Sequence, residues 1–132
     1  MKVEDLMVMQ MTGWARNEGV MLHNELNLWH HNGNGEKMSV WVGKKRKQMG
    51  LLAGMPDFSL AVPRKGHASL QMEFKVGKNT LTESQKIVLP LLADLGNLVC
   101  VVRDDWKRGR DIVLWYLGED KREFEEVFGT EK

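Results

Sequence analysis

The sequence predicts an α/β fold: a mixed central sheet with an antiparallel hairpin and a parallel crossover, flanked by helices. Three observations predict it. Apolar side chains recur at helical spacing over residues 2–17. Two strand-like runs, "DFSLAVP" and "ASLQMEFKV", are separated only by "RKGH". Residues 68–103 then read strand–helix–strand, a crossover unit whose two strands should be parallel and whose connection should be right-handed.

Each element follows from local chemistry. Val3, Leu6, Met7, Met11 and Trp14 form the apolar face of the first helix, and Gly19 is placed to end it. "ELNLWHH" at 25–31 alternates weakly and reads as a strand, and "NGNGEK" at 32–37 reads as a loop. Ser39 can cap a helix that runs to Met49, with Gly50 as terminator. After the hairpin, Thr82 and Gln85 have capping-box spacing at the start of "TESQKIVLPLLADLG". Pro90 should bend that helix and Gly96 should stop it. "NLVCVVR" is a continuous apolar run, hence a buried strand. A helix is expected from Asp105 to Leu117, despite Gly109, and a last short one over 119–128.

The chain has 132 residues, which suits one domain over 1–132 with a core that needs no staples. Cys100 is the single cysteine. It cannot form an internal disulfide, so it reads as a core residue and the chain as cytoplasmic. Glu4 and Asp5 argue against a signal peptide, and "IVLPLLADL" is too short to span a bilayer. The net charge of +1 excludes wrapping nucleic acid by charge alone. The cations are clustered, however, at "KKRK" 44–47 and at Arg103, Lys107, Arg108 and Arg110, which suits phosphate contacts or a solvated helix face. The tryptophans and methionines read as core rather than as stacking platforms.

The chemistry lies in the hairpin. Glu73 and Lys75 are two apart on a strand and share a face, while Phe74 points into a core. Asp57 opens the partner strand and can reach the same face. Two carboxylates and one ammonium then share a small polar pocket. The carboxylates repel unless a proton or cation lies between them. Magnesium suits such an oxygen site together with a substrate phosphate, and lysine can orient a water or stabilise charge. This is the chemistry of phosphodiester hydrolysis. Acid-x-lysine by itself is more often an exposed cross-strand pair. What is specific is the combination: proline–aspartate opening a strand, a short hairpin, acid-x-lysine, then a helix with glutamine in its first turn. "HHNGN" at 30–34 lacks the further His or Asn that an HNH nuclease needs, and one cysteine is too few for a zinc site of paired Cys/His ligands. His30 and His31 face opposite sides of a strand, so at most one can approach the pocket.

"GMPDF", "MEFK" and "LTESQ" together resemble the PD-(D/E)xK nuclease superfamily, and within it the VRR-NUC domain family. "NGEK" and "KKRKQMGLLAGMPDF" are similar to that family's asparagine–glycine loop, lysine-bearing helix and glycine–x–proline–aspartate entry. "LTESQKIVLPLLADLGNLVCVV" is similar to its glutamine helix and following strand, so the likeness spans residues 4–117. The resemblance implies a restriction-endonuclease-like core. It implies Asp57 and Glu73 as metal ligands, Lys75 as the catalytic lysine, and Gln85 as the glutamine near the site. For the family's first-helix acid, Glu4 is the best match, with Glu18 and Glu25 as competitors. Asn34 matches the loop asparagine and equally suits a turn. Lys44 or Lys47 would touch DNA. Stand-alone members of this size resemble Holliday-junction resolvases. The expectation is therefore a magnesium-dependent, structure-selective DNA endonuclease, with manganese as substitute metal, acting on branched DNA as a homodimer away from membranes. The alternatives are a flap, nicking or sequence-specific nuclease on the same core, or a DNA-binding module without catalysis.

Overall fold

A computed structural model describes residues 1–33 and 40–129. Asn34 and the proposed helix cap Ser39 lie outside the described residues. The elements are α1 (Val3–Trp14), a π-helical stretch (Ala15–Gly19), α2 (Val20–Leu22), a 3-10 stretch (Asn24–Leu28), β1 (His30–His31), α3 (Val40–Gln48), β2 (Phe58–Leu60), β3 (Leu70–Lys75), α4 (Glu83–Asp94), β4 (Leu98–Arg103), α5 (Trp106–Leu117) and α6 (Phe124–Phe128). Among the described residues, one sheet has the order β1-β2-β3-β4. Both β1–β2 and β2–β3 are antiparallel, and β3–β4 is parallel. The expected hairpin and crossover are both present.

The hairpin closes at Arg64–His67, where each residue's N–H donates to the other's carbonyl, at 3.1 and 2.8 Å. Lys65 (φ 53°) and Gly66 (φ 81°) are both left-handed, as a turn matching the sheet twist requires. All six residues of β3 are buried. Leu70, Met72 and Phe74 join Phe58, Leu60, Leu98, Cys100 and Val102 in one apolar face, covered by α1 and α5. The helix–sheet approach explains Gly109: a Cβ there would lie 3.0 Å from Met72 Sδ and 3.3 Å from Phe74 Cζ. In β3, Gln71, Glu73 and Lys75 alternate with that apolar set, so the opposite face is polar.

Several expectations are corrected. The first helical segment does not stop at Gly19 but continues through the π turn to Leu22, with His23 extended. Gly19 is right-handed (φ −60°) and is required by packing, since a Cβ would lie 2.8 Å from Leu26 Cδ1. The buried stripe of α1 is Met7, Met11 and Trp14, whereas Val3 and Leu6 are exposed. Residues 25–31 are not a strand throughout. Leu26 and Trp29 are buried three apart, the repeat of a 3-10 helix, and Leu28 is 54% exposed. Only His30 and His31 pair with β2. β2 is shorter than its sequence run because Val62 N–H turns back onto Leu60 O (2.9 Å). In β4, Val99 and Val101 are only half-buried, because α4 incompletely covers that face. Trp41 is 69% exposed with Lys45 Nζ 5.5 Å from its ring centre, and Met1, Met9, Met21 and Met49 are exposed, so the tryptophans and methionines are not all core. Among the described residues, no helix is long and apolar enough to cross a membrane.

Candidate active site

The register Phe58↔Met72 brings Asp57, just before β2, beside Glu73. Side chains extend the strand pairing here. Asp57 N–H donates to Glu73 Oε1 (3.0 Å), and Phe74 N–H donates to Asp57 Oδ2 (2.8 Å). Each acid thus grips the other's strand, which fixes both carboxylates. Lys75 shares the face of Glu73 and places Nζ 3.3 Å from its Oε2, with 8% and 4% of the two side chains exposed. Glu4 enters from α1, one residue along the stripe that buries Met7 and Met11 at helical spacing. One oxygen from each of Glu4, Asp57 and Glu73 lies within 4.8 Å of the others.

Three carboxylates thus crowd one ammonium. Burial, then the neighbouring Glu73, pushes the Asp57 carboxyl up to about 7. Burial also raises Glu4, and Lys75 opposes this. A cation among these oxygens would relieve the repulsion. The donors are all hard oxygens, the set that magnesium and manganese accept rather than the thiolate and imidazole set of structural zinc. The residues therefore fit a divalent cation held by Glu4, Asp57 and Glu73.

Of the competing acids, Glu18 is exposed and Glu25 pairs with Arg64 at 2.8 Å. Only Glu4 joins the cluster. Gln85 is buried in the first turn of α4 and forms the capping box: Thr82 Oγ accepts Gln85 N–H, and Gln85 Oε1 accepts Thr82 N–H, both at 3.1 Å. It borders the Gly54–Met55 segment that leads into Asp57. Lys44 and Lys47 are exposed on α3.

Two further features border the site: the first resolves the expectation that at most one histidine approaches the pocket, and the second was not singled out in the sequence. Of the paired histidines, His31 is the one that approaches: its Nε2 is 3.8 Å from Asp57 Oδ1, and its ring meets Phe58 edge-on at 5.3 Å. Gly33 N–H donates to His31 Nδ1 (2.9 Å), so in the neutral ring the proton sits on Nε2, facing Asp57. His30 Nδ1 instead donates to Leu28 O (3.0 Å). The second feature is a polar chain beneath the site. Asn32 Nδ2 donates to Pro56 O and Ser59 Oγ, Ser59 Oγ donates to Gln71 Oε1 (2.6 Å), Gln71 Nε2 to Ser69 Oγ (2.9 Å), and Ser69 Oγ to Asn97 Oδ1 (2.6 Å). These buried polar groups are mutually satisfied, which holds the face that carries Glu73 and Lys75. The signal was present in Gln71, which precedes Glu73 by the strand repeat of two.

A solved structure described as "VRR_NUC domain protein" superimposes with a TM-score of 0.69, covering 91% of this chain and 94% of its own, at 23% sequence identity. The chain shares its fold with that VRR_NUC domain protein. This is a restriction-endonuclease-like fold, with the mixed sheet and flanking helices described above. No protein-family model and no curated protein matches the sequence.

Proposed function

We propose that the chain is a metal-dependent nuclease that hydrolyses phosphodiester bonds in DNA. The observation that carries this reading is the convergence of Glu4, Asp57 and Glu73 beside a buried lysine on the hairpin. The shared fold with a VRR_NUC domain protein supports it.

Glu4, Asp57 and Glu73 would hold magnesium, for which manganese could substitute. When bound, such an ion supplies Lewis-acid stabilisation of charge on phosphate oxygens and activation of water. The chain's own residues do the rest. The reciprocal hydrogen bonds between the hairpin strands orient the carboxylates before any ligand arrives. Lys75 uses one Nζ donor on Glu73 and keeps others for an attacking water or a phosphate oxygen. Gln85, which borders the Gly54–Met55 segment leading into Asp57, contributes its amide. Lys44 and Lys47 of α3, together with Asn34, contact backbone phosphates, which position DNA without reading its sequence.

The preferred substrate is branched DNA, a four-way junction above all, and the active form is a homodimer. One site cuts one strand at a time, whereas resolution needs paired cuts related by a two-fold axis, the symmetry of the commonest closed assembly. The test is a panel of branched, linear and single-stranded DNA with magnesium, with calcium and with EDTA. Magnesium should support cutting, calcium binding without turnover, and EDTA neither cutting nor nicking. Asp57→Asn and Glu73→Gln should abolish cutting and keep most DNA affinity. Sedimentation should give about twice the chain mass. Full activity in EDTA, or near-normal cutting by either variant, would remove the metal centre from the reaction. A monomer that only nicks would remove the junction reading and leave the nuclease.

A further inference from the structure

α3 is a nine-residue helix with no buried residue, whereas α1, α4 and α5 each bury side chains. Its sequence, VWVGKKRKQ, holds four cations and no acid. Gly43 and Lys47, one turn apart, line a groove with Leu51, Gly54 and Met55, so this side of α3 faces the rest of the chain. At about 3.6 residues per turn, Trp41 falls on roughly the opposite side, between Lys44 and Lys45. Trp41 is 69% exposed, and Val40 before it 76%. Of the five tryptophans, Trp14, Trp29 and Trp115 are buried and Trp106 is half-buried. Val40 and Trp41 thus form an apolar patch rimmed by cations, the kind of patch that marks an interaction site. Lys45 Nζ lies 5.5 Å from the Trp41 ring centre, a cation–π contact that orients the ring.

A partner for this face must offer a flat apolar surface and negative charge together. A second copy does not, because α3 against α3 about a two-fold axis would oppose four cations to four. Nucleic acid does: every base has a π-face, and the phosphates beside it take the cations. In a continuous duplex those faces are covered by neighbouring base pairs. They are open where strands exchange, at the branch point of a four-way junction.

We infer that Trp41 stacks on a base pair exposed at that branch point while Lys44 binds the adjoining phosphates. The inference rests on the nuclease reading and adds to it a feature of the chain that tells a junction from a linear duplex without reading sequence. Lys47, on the other side of the same helix, borders the Gly54–Met55 segment that leads into Asp57, so α3 links the branch point to the acids.

The test is binding in EDTA, where nothing is cut. Fluorescence anisotropy compares a synthetic four-way junction with a linear duplex of the same arm sequence. The wild-type chain should prefer the junction by on the order of tenfold, the scale of one base stacked on an aromatic side chain. Trp41→Ala should remove that preference, and Trp41→Phe, which keeps a ring, should retain most of it. Junction binding should also quench tryptophan emission in the wild type but not in Trp41→Phe, a signature that a merely structural role would not produce. Since α3 buries no side chain, urea unfolding should give the same midpoint for all three proteins. Equal wild-type affinity for the two DNAs overturns the proposal, as does a preference that survives Trp41→Ala or an unquenched wild-type emission. A lowered urea midpoint in Trp41→Ala makes the ring a packing residue and overturns it. A halved sedimentation mass in Trp41→Ala assigns the ring to a second copy and overturns it too. Because these readings need no hydrolysis, they fail separately from the nuclease reading, which falls on the EDTA and Asp57→Asn cleavage tests.

Discussion

Asp57→Asn should stabilise the metal-free protein above neutral pH. The substitution removes one charge from the crowded centre and keeps its geometry, because the Asn oxygen can still accept the Phe74 N–H that Asp57 Oδ2 accepts at 2.8 Å. Burial first, and Glu73 second, raise this carboxyl from 3.8 to about 7. At about 1.4 kcal/mol per tenfold change in proton affinity, keeping it ionised in the metal-free fold costs up to about 4 kcal/mol relative to the unfolded chain. Below pH about 4, Asp57 is protonated in both states and the cost is absent. As pH rises towards about 7 the unfolded chain ionises first, so stability falls, and beyond that the loss is complete. The Asn variant should not lose this component. Asp57→Ala also lacks the charge but leaves Phe74 N–H unsatisfied, at about 1–3 kcal/mol, so it should be the weaker of the two variants. Urea unfolding in EDTA across this range reads the effect as a shift in midpoint at constant slope. Magnesium should then restore the wild-type chain at high pH and do little for the variant. If wild type and Asp57→Asn follow the same pH curve, the carboxylates do not repel each other and the metal-centre geometry is wrong.

Gly54→Ala combines a left-handed backbone (φ 92°) with a 2.6 Å contact to Ser84 O, so urea unfolding should show a loss of at least about 1–3 kcal/mol. Changing Lys44, Lys45, Arg46 and Lys47 together to alanine should weaken DNA binding and flatten its dependence on salt, read as the slope of log K against log salt. His31→Phe can keep the edge contact with Phe58 but loses Nε2 beside Asp57. Calorimetry should find manganese affinity about 10–100-fold lower with DNA affinity in EDTA unchanged, and an unaltered metal isotherm would make His31 a packing residue.

The centre of the fold was legible in the sequence because it is built from local patterns. The alternation of β3, the short RKGH turn and the Thr82–Gln85 capping box each settle a conformation within a few residues, and Asp57, Glu73 and Lys75 follow from the hairpin. What was not legible depends on distant partners. Leu26 and Trp29 could serve a strand or a 3-10 turn until Gly19 and Trp14 give Leu26 something to pack against. Gly19 looks like a terminator in isolation and is a contact point in the fold. Glu4 is the best match in one dimension, but Glu18 and Glu25 compete with it there. Only the docking of α1 through Met7 and Met11 brings one of them to the hairpin, while Arg64 engages another.

The reciprocal grip of Asp57 and Glu73 also bears on the order of assembly. Those two carboxylates lie within one hairpin, and such pairings form in microseconds. Glu4 must instead close a loop of more than fifty residues, a slower and entropically costlier contact. The last move that completes the centre therefore drives a third negative group against two already in place. Electrostatics resists this docking even as Met7 and Met11 favour it. A divalent cation would reverse that sign, so the amino-terminal helix should be the part of the chain whose hydrogen-exchange protection responds most to added magnesium. The apo chain would then open first at α1, with the hairpin still paired.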